Sequence, residues 1–194
     1  SRTIRTTSIS ESALSDRIRR VADLDFEGLE LAYLPGWEGV DLRLTARNVT
    51  ALDATARFGR VGGALKAVAG GHVYGEESDD LAAAVLGALR AANKTIAVGE
   101  SCTGGVLGAR LTAVPGASDV VLGGVIAYHN DVKTRQLGVR AETLAAHGDV
   151  SEETAREMAT GVRGRIGASV GVGITGVAGP DGGSDEKPIG LTYV

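Results

Sequence analysis

The chain has 194 residues, 43% of them hydrophobic, which is enough to bury the core of one large domain or two small ones. Its formal net charge of −4 argues against non-specific binding to nucleic acid or to an acidic membrane surface. Aromatic residues make up only 4% of the sequence and 29 residues are glycine, so small side chains must set the packing, as is common in α/β proteins.

Residues 1–75 are predicted to form a small α+β domain. Ser10 is placed to cap a first helix, and the apolar spacing predicts a second helix over about 52–68, interrupted near Gly62-Gly63. The tetrapeptide Gly59-Arg60-Val61-Gly62 matches the Gly-x-x-Gly loop of nucleic-acid-binding KH domains, but a joint between two helices explains it equally well. Because the total charge is acidic, we expect no nucleic-acid partner. The strands of this domain are expected over 3–7, 28–34, 39–45 and 72–74.

A polar, acidic break over 76–80 marks the predicted boundary with a second domain, residues 79–194. Apolar patterning there predicts alternating strands and helices, which is typical of a parallel sheet. No apolar run is long enough to span a membrane, so we expect no membrane partner. Strands are expected over 95–98, 123–128, 170–174 and 189–194, and the main helices over 106–113, 132–137 and 152–166.

The turn after the first of these strands carries Ser101, Cys102 and Thr103. A hydroxyl at this position lies over the start of a helix, where free backbone N–H groups attract anions and can hold an oxyanion. Several hydrolases present a nucleophile in this way. Two alternatives remain open: Ser101 or Thr103 merely caps the helix, or Cys102 is the nucleophile. As the only cysteine, Cys102 also excludes an internal disulfide and indicates a reducing, cytoplasmic location.

Lys133 is the best candidate for the base that Ser101 needs. It lies one turn into the helix after the 123–128 strand, and in a parallel sheet the exit of that strand lies at the same edge as the Ser101 turn. A lysine desolvated in a pocket can act as a base because burial disfavours its charged form. The alternative, which the residues alone favour because buried lysines are rare, is that Lys133 is an ordinary surface lysine. His129 is a weaker candidate, since neighbouring strand positions face opposite ways. No side chains have metal-ligand spacing, so we expect neither a catalytic metal nor a cofactor.

A glycine-rich loop, Thr175–Gly183, follows the 170–174 strand. Such a loop exposes many backbone N–H groups and can form a nest for an anion, although glycine-rich segments are often only connections. The spacing of its residues does not match that of a nucleoside-triphosphate loop.

Several motifs in this order closely resemble the CinA family over about 79–194, and residues 1–75 resemble the KH-like middle segment of the same proteins. The resemblance implies a three-layer α/β/α domain with a central mixed sheet, preceded by a small α+β, KH-like domain. The motifs are Glu100-Ser101-Cys102-Thr103-Gly104-Gly105, Gly123-Gly124-Val125-Ile126-Ala127-Tyr128 with Lys133, Gly148-Asp149-Val150-Ser151-Glu152-Glu153, the Thr175–Gly183 loop and Lys187-Pro188-Ile189-Gly190.

The resemblance also implies an activity, the deamidation of nicotinamide mononucleotide to nicotinate mononucleotide and ammonia. Ser101 matches the nucleophile of the family, Lys133 its general base and Tyr128 its hydroxyl partner, while Cys102 matches a non-catalytic neighbour. We expect a small nucleotide as substrate and a homo-oligomeric assembly. The residues expected to contact the substrate are Thr103, Gly104, Gly105, Asn130, Thr175, Gly176, Gly179, Gly182 and Gly183.

The family domain continues past Val194 into a terminal helix, so substrate contacts from that helix are expected to be missing from this chain. The alternative function is a non-catalytic module that binds a nucleotide or nucleic acid. Hydrolysis of nicotinamide mononucleotide distinguishes the two.

Overall fold

A computed structural model describes residues 1–21 and 24–194, which divide into two units, Ser1–Ala84 and Val85–Val194. Both units mix helices with strands, and each contains a four-stranded sheet, so the predicted fold class is confirmed. Across the residues described, no helix combines the length and the hydropathy needed to cross a bilayer.

The first unit is an antiparallel sheet with two helices. Ser10 caps the first helix through a 3.3 Å bond from the Ala13 N–H, as predicted. The strands lie in the order β2-β3-β1-β4, and the apolar side chains that alternate along β3 are buried in the core. The elements are β1 (Arg2–Thr6), α1 (Glu11–Arg19), β2 (Glu30–Pro35), β3 (Val40–Thr45), α2 (Ala51–Ala69) and β4 (Val73–Glu76).

The predicted interruption of the second helix near Gly62-Gly63 is wrong, because α2 runs unbroken through both glycines. Val61 and Leu65 are buried against the sheet, and this packing outweighs a helix-propensity cost of about 1 kcal/mol for each glycine. The Gly59–Gly62 tetrapeptide is therefore helical rather than a KH-type loop. Its only basic residue, Arg60, is paired with Glu27 at 2.6 Å.

The second unit is built on a mixed sheet in the order β6-β5-β7-β8. β5 pairs in parallel with both β6 and β7, while β8 is antiparallel to β7 and is shorter than the strand predicted over 189–194. The division between the units falls within α3 (Leu81–Ala91). The other elements are β5 (Ile96–Glu100), α4 (Val106–Thr112), β6 (Val121–Ile126), α5 (Asn130–Leu137), α6 (Ala141–His147), α7 (Glu152–Ile166), β7 (Val170–Gly176) and β8 (Thr192–Tyr193).

The order of the strands makes the carboxyl end of β5 a point where the chain connections diverge to the two sides of the sheet. From β5 the chain crosses to β6 on one side and then returns past β5 to β7 on the other, which is the topological switch point where open α/β sheets bind ligands. Successive residues of β5 face opposite layers: Val98 and Glu100 face Gly108 of α4, whereas Gly99 faces Leu137 of α5 and Val162 of α7. Ser101 is two residues after Gly99, so the same alternation directs its side chain towards the layer that contains α5.

Candidate active site

Hydrogen bonds join the carboxyl ends of three neighbouring strands. The Ser101 N–H donates to the Ile174 carbonyl at 2.9 Å, and the Ala127 N–H donates to the Glu100 carbonyl at 2.7 Å. Residues that follow β5, β6 and β7 therefore lie at one edge of the sheet. The parallel pairing expected from the sequence brings the Ser101 turn and the Lys133 helix to this same edge.

The Ser101 turn is held by Glu100, a buried carboxylate that the sequence analysis did not identify as a site residue. Its Oε2 atom accepts from the Thr103 hydroxyl at 2.6 Å and from the Gly105 and Leu107 N–H groups at 3.2 and 3.1 Å. Its Oε1 atom accepts from the Gly108 N–H at 2.7 Å. Neither Ser101 nor Thr103 caps α4, because the Glu100 side chain occupies that position.

The same contacts determine the charge on Glu100. Burial raises the pKa of the Glu100 carboxyl, but the hydrogen bond from Thr103 and the three from backbone N–H groups outweigh burial and hold the pKa below its ordinary value. The carboxylate is therefore ionised at neutral pH and neutralises the positive end of α4. A signal for this was available in the sequence, since an acidic residue ends the strand just before the turn that leads through Gly104-Gly105 into a helix.

Two backbone N–H groups at the turn are not used by Glu100. Within the described part of the chain, the Cys102 and Thr103 N–H groups donate to no acceptor. Both lie directly after Ser101, in the position from which backbone N–H groups can hold the carbonyl oxygen of a molecule attacked by the Ser101 hydroxyl. These two N–H groups at the turn are therefore available to a bound acceptor.

Lys133 is buried, with only 1% of its side chain exposed, so it is not an ordinary surface lysine. Its ammonium donates to the Asn130 Oδ1 atom at 3.1 Å and to the Tyr128 carbonyl at 3.3 Å, and it lies 3.7 Å from Asp149 Oδ2. Burial lowers the pKa of Lys133, while Asp149 and, to a smaller extent, the thiol of Cys102 raise it. The net shift is downward, which favours the neutral amine that a general base requires.

Ser101 is also buried, at 6% exposure, and its hydroxyl has no hydrogen-bond partner among the described residues, Lys133 included. Hydrogen bonds between catalytic groups are often long without substrate and tighten when it binds. Tyr128 differs from both: its side chain is 69% exposed, and it contacts Lys133 only through its carbonyl oxygen.

The polar residues expected to bind substrate are engaged within the protein. The Thr103 hydroxyl donates to Glu100, Asn130 accepts from Lys133, and the Thr175 hydroxyl donates to the Asp149 carbonyl at 2.6 Å. The expected glycines lie in the two loops of the site. Gly104, Gly105, Gly179 and Gly182 have positive φ angles, Gly176 lies against Leu191 and Cys102, and a Cβ atom at Gly179 or Gly183 would come within 2.8 Å of Ile189.

In the described part of the chain, none of the three histidine side chains forms a hydrogen bond with Ser101 or with the Lys133 ammonium. His129 caps α5, with Nδ1 accepting from the Asp131 N–H, and His147 lies 3.5 Å from Glu153. His72 contacts the Thr7 carbonyl in the first unit. A search of residues 1–21 and 24–194 finds no group of three or more histidine, cysteine or carboxylate side chains that could hold a metal ion.

Comparisons with known proteins cover both units. Residues 78–194 match the family profile of the CinA C-terminal domain, and residues 1–75 match that of the damage-inducible protein CinA KH domain. A CinA-like protein of Gemmatimonas aurantiaca is 55% identical over 194 residues, which are all of this chain and 45% of that protein. A CinA-like protein of Salinibacter ruber is 44% identical over 193 residues, 47% of its length. The chain thus spans less than half of these relatives.

Solved structures of competence/damage-inducible proteins also superpose on part of this chain. The competence/damage inducible protein CihA of Agrobacterium tumefaciens is 42% identical and superposes with a TM-score of 0.54, covering 57% of this chain and 67% of that one. The competence damage-inducible protein A of Klebsiella pneumoniae is 40% identical with a TM-score of 0.55, covering 57% and 69%.

Proposed function

The chain belongs to the CinA family, and we propose that it is an amidohydrolase that deamidates nicotinamide mononucleotide. The observation that carries the proposal is the burial of Lys133, whose amine lies at the sheet edge where the Ser101 turn begins. A buried lysine and a buried hydroxyl at the same edge of a sheet can provide a base and a nucleophile without a metal.

In the proposed mechanism, the neutral amine of Lys133 takes the proton of Ser101 as the hydroxyl oxygen attacks the carboxamide carbon. The carbonyl π electrons move onto oxygen, and the N–H groups of Cys102 and Thr103 hold the resulting oxyanion. The carbon–nitrogen bond then breaks, and the proton on Lys133 passes to the departing ammonia. Water, deprotonated in turn by Lys133, attacks the acyl-enzyme and releases nicotinate mononucleotide with Ser101 regenerated.

Tyr128 is assigned the role of hydroxyl partner that the family resemblance implies. Tyr128 lies two residues after the end of β6, its side chain is exposed, and its own carbonyl accepts from the Lys133 ammonium. Cys102 is assigned no chemical step, although its thiol lies close enough to influence Lys133. The loop over 175–183 is assigned to the ribose phosphate of the substrate.

The test is release of ammonia from nicotinamide mononucleotide by the purified chain. Ser101→Ala and Lys133→Met are each expected to lower kcat by at least about 100-fold, because each removes a group that takes part in bond breaking. Cys102→Ala is expected to stay active. Lys94→Met is the matched control, since Lys94 is an exposed lysine away from the sheet edge.

Other outcomes would favour other functions. Loss of activity in Cys102→Ala alone would indicate a thiol enzyme. Binding of nicotinamide mononucleotide without turnover by the unmodified chain would favour the alternative of a binding module.

A further inference from the structure

The segment that joins α6 to α7 is held by three buried hydroxyl groups. The Gly148 carbonyl accepts from Ser151 Oγ at 3.1 Å and from Thr154 Oγ1 at 2.8 Å. The next carbonyl, that of Asp149, accepts from Thr175 Oγ1 at 2.6 Å. Ser151, Thr154 and Thr175 are 7%, 0% and 1% exposed. Two consecutive peptide groups are therefore fixed from two elements, the start of α7 and the end of β7.

This arrangement determines where the Asp149 carboxylate lies. It is half exposed, and its Oδ2 atom lies 3.7 Å from the Lys133 ammonium, which is itself 1% exposed. The Asn130 amide oxygen and the Tyr128 carbonyl are the neutral acceptors of that ammonium. Asp149 is the only carboxylate paired with Lys133 among the residues described.

We propose that Asp149 is a positioning residue for Lys133, which keeps the protonated lysine stable long enough to return its proton, and that Thr175 holds Asp149 in place. The reaction requires Lys133 to be neutral before attack and charged after it, and burial alone favours only the neutral form. An anion 3.7 Å away favours the charged form. The proposed function supplies the kinetic readout of this inference, while the geometry on which it rests is independent of that function.

The groups that face the Lys133 ammonium come from three elements. Asp149 follows α6, Cys102 follows β5, and Asn130 and the Tyr128 carbonyl lie at the start of α5. Burial of Lys133 lowers its pKa, Asp149 opposes that effect most strongly, and the thiol of Cys102 adds a smaller effect of the same sign. Removing the charge of Asp149 therefore shifts Lys133 further towards its neutral form.

The first experiment is the pH dependence of kcat/KM for Asp149→Asn. Lys133 must be neutral to accept a proton, so kcat/KM rises with pH through the pKa of Lys133. Loss of the carboxylate lowers that pKa, and the acid limb of the profile is expected to move to lower pH. At its own optimum the variant is expected to lose about 10-fold or less in kcat, because Lys133 itself is retained.

Asp131→Asn is the matched control. It makes the same chemical change on α5, two residues from Lys133, but the Asp131 side chain is 68% exposed and pairs with Arg135. Its acid limb is expected to stay in place. Equal shifts in the two variants would overturn the proposal, because a general change in charge would then explain them.

The second experiment reads the titration of Lys133 without turnover. The chain has four lysines, so the Cε resonance of each can be assigned by ¹³C NMR and substitution. The midpoint of Lys133 is expected to fall in Asp149→Asn, to fall less in Thr175→Val, and to be restored in Thr175→Ser. An unchanged midpoint in Asp149→Asn overturns the inference. A shifted midpoint in a chain that does not hydrolyse nicotinamide mononucleotide upholds it and contradicts the proposed function.

A measurement on the unmodified chain covers the case in which Asp149→Asn fails to fold. The side-chain carboxyl resonance of Asp149 is expected to move at the pH where the Cε resonance of Lys133 reports loss of its proton, because the two groups lie 3.7 Å apart. A carboxyl resonance that does not move at that pH would contradict the proposal.

Discussion

Glu100 and Lys133 are the two charged side chains that are almost fully buried among the described residues, and the protein compensates them differently. The Glu100 carboxylate accepts a hydroxyl and three backbone N–H groups, which stabilise the ion more than burial destabilises it. Lys133 has two neutral acceptors and one more distant carboxylate, and burial dominates. Glu100 is therefore a lasting negative charge that supports the turn, whereas burial lowers the pKa of Lys133 and makes its neutral form more accessible.

The first prediction at this scale concerns Glu100→Gln. The amide retains one acceptor oxygen but turns an NH₂ group towards backbone donors, so the free energy of unfolding is expected to fall by about 1–3 kcal/mol. Urea denaturation at neutral pH measures it. Thr103→Val is the control that removes only one of the four hydrogen bonds, and it is expected to cost less.

The acid stability of the second unit follows from the same carboxylate. The pKa of Glu100 is lowered in the folded state, so its stabilising contribution is complete above the ordinary glutamate pKa of about 4.3. That contribution is lost as the pH falls through the lower pKa of the folded state. Thermal unfolding between about pH 2 and 5 is expected to be less pH-dependent in Glu100→Gln than in the unmodified chain. Parallel curves would contradict this assignment.

At the scale of elements, glycine has two different roles. In the second unit it permits close approach: a Cβ atom at Gly161 of α7 would lie 1.6 Å from the Leu137 carbonyl of α5. Gly171 and Gly173 of β7 would place theirs 2.1 and 2.2 Å from carbonyls of α7. In α2, by contrast, Gly63 has open space around it and lies in a regular helix. Close contact of α5, α7 and β7 places the Lys133 helix against the sheet, whereas the glycines of α2 only weaken that helix.

This difference gives a prediction with opposite signs. Gly63→Ala is expected to raise the free energy of unfolding of the first unit by about 0.5–1 kcal/mol, because alanine favours the helix and meets no neighbour. Gly161→Ala is expected to lower that of the second unit by about 1–3 kcal/mol through overpacking. Urea denaturation measures both changes, and destabilisation by Gly63→Ala would indicate that α2 bends at this position.

At the scale of the whole molecule, the two units have separate hydrophobic cores. Ile4, Leu42 and Leu44 belong to the core of the first unit, and Met158 and Val162 to a core of the second. A unit with its own core can unfold by itself. The groups assigned to catalysis all lie in the second unit.

Core substitutions should therefore act on one unit at a time. Leu44→Ala is expected to destabilise the first unit by about 2–5 kcal/mol. The stabilisation of the second unit by nicotinamide mononucleotide, which the proposed function predicts, is expected to be unchanged in this variant. Met158→Ala is expected to lower the temperature at which the second unit unfolds and to weaken the stabilisation of that unit by nicotinamide mononucleotide. Calorimetry with and without the nucleotide distinguishes the units, and a lost nucleotide effect in Leu44→Ala would show that the first unit contributes to the site.

The sequence by itself determined the features that depend on neighbouring residues. The alternation of β3 and the Ser10 cap of α1 follow from local patterns and short spacings. Such patterns made Ser101 and Lys133 candidates, and the resemblance to the CinA family selected them over the alternatives. Tertiary structure decided the features that depend on distant partners. Packing on the sheet keeps α2 continuous through Gly62-Gly63, where local propensity predicted a break. The Glu100 carboxylate turns back onto α4, and Asp149 approaches Lys133 from another segment. The burial of a site and the charges around it depend on groups that are far apart in the chain, and only the fold brings those groups together.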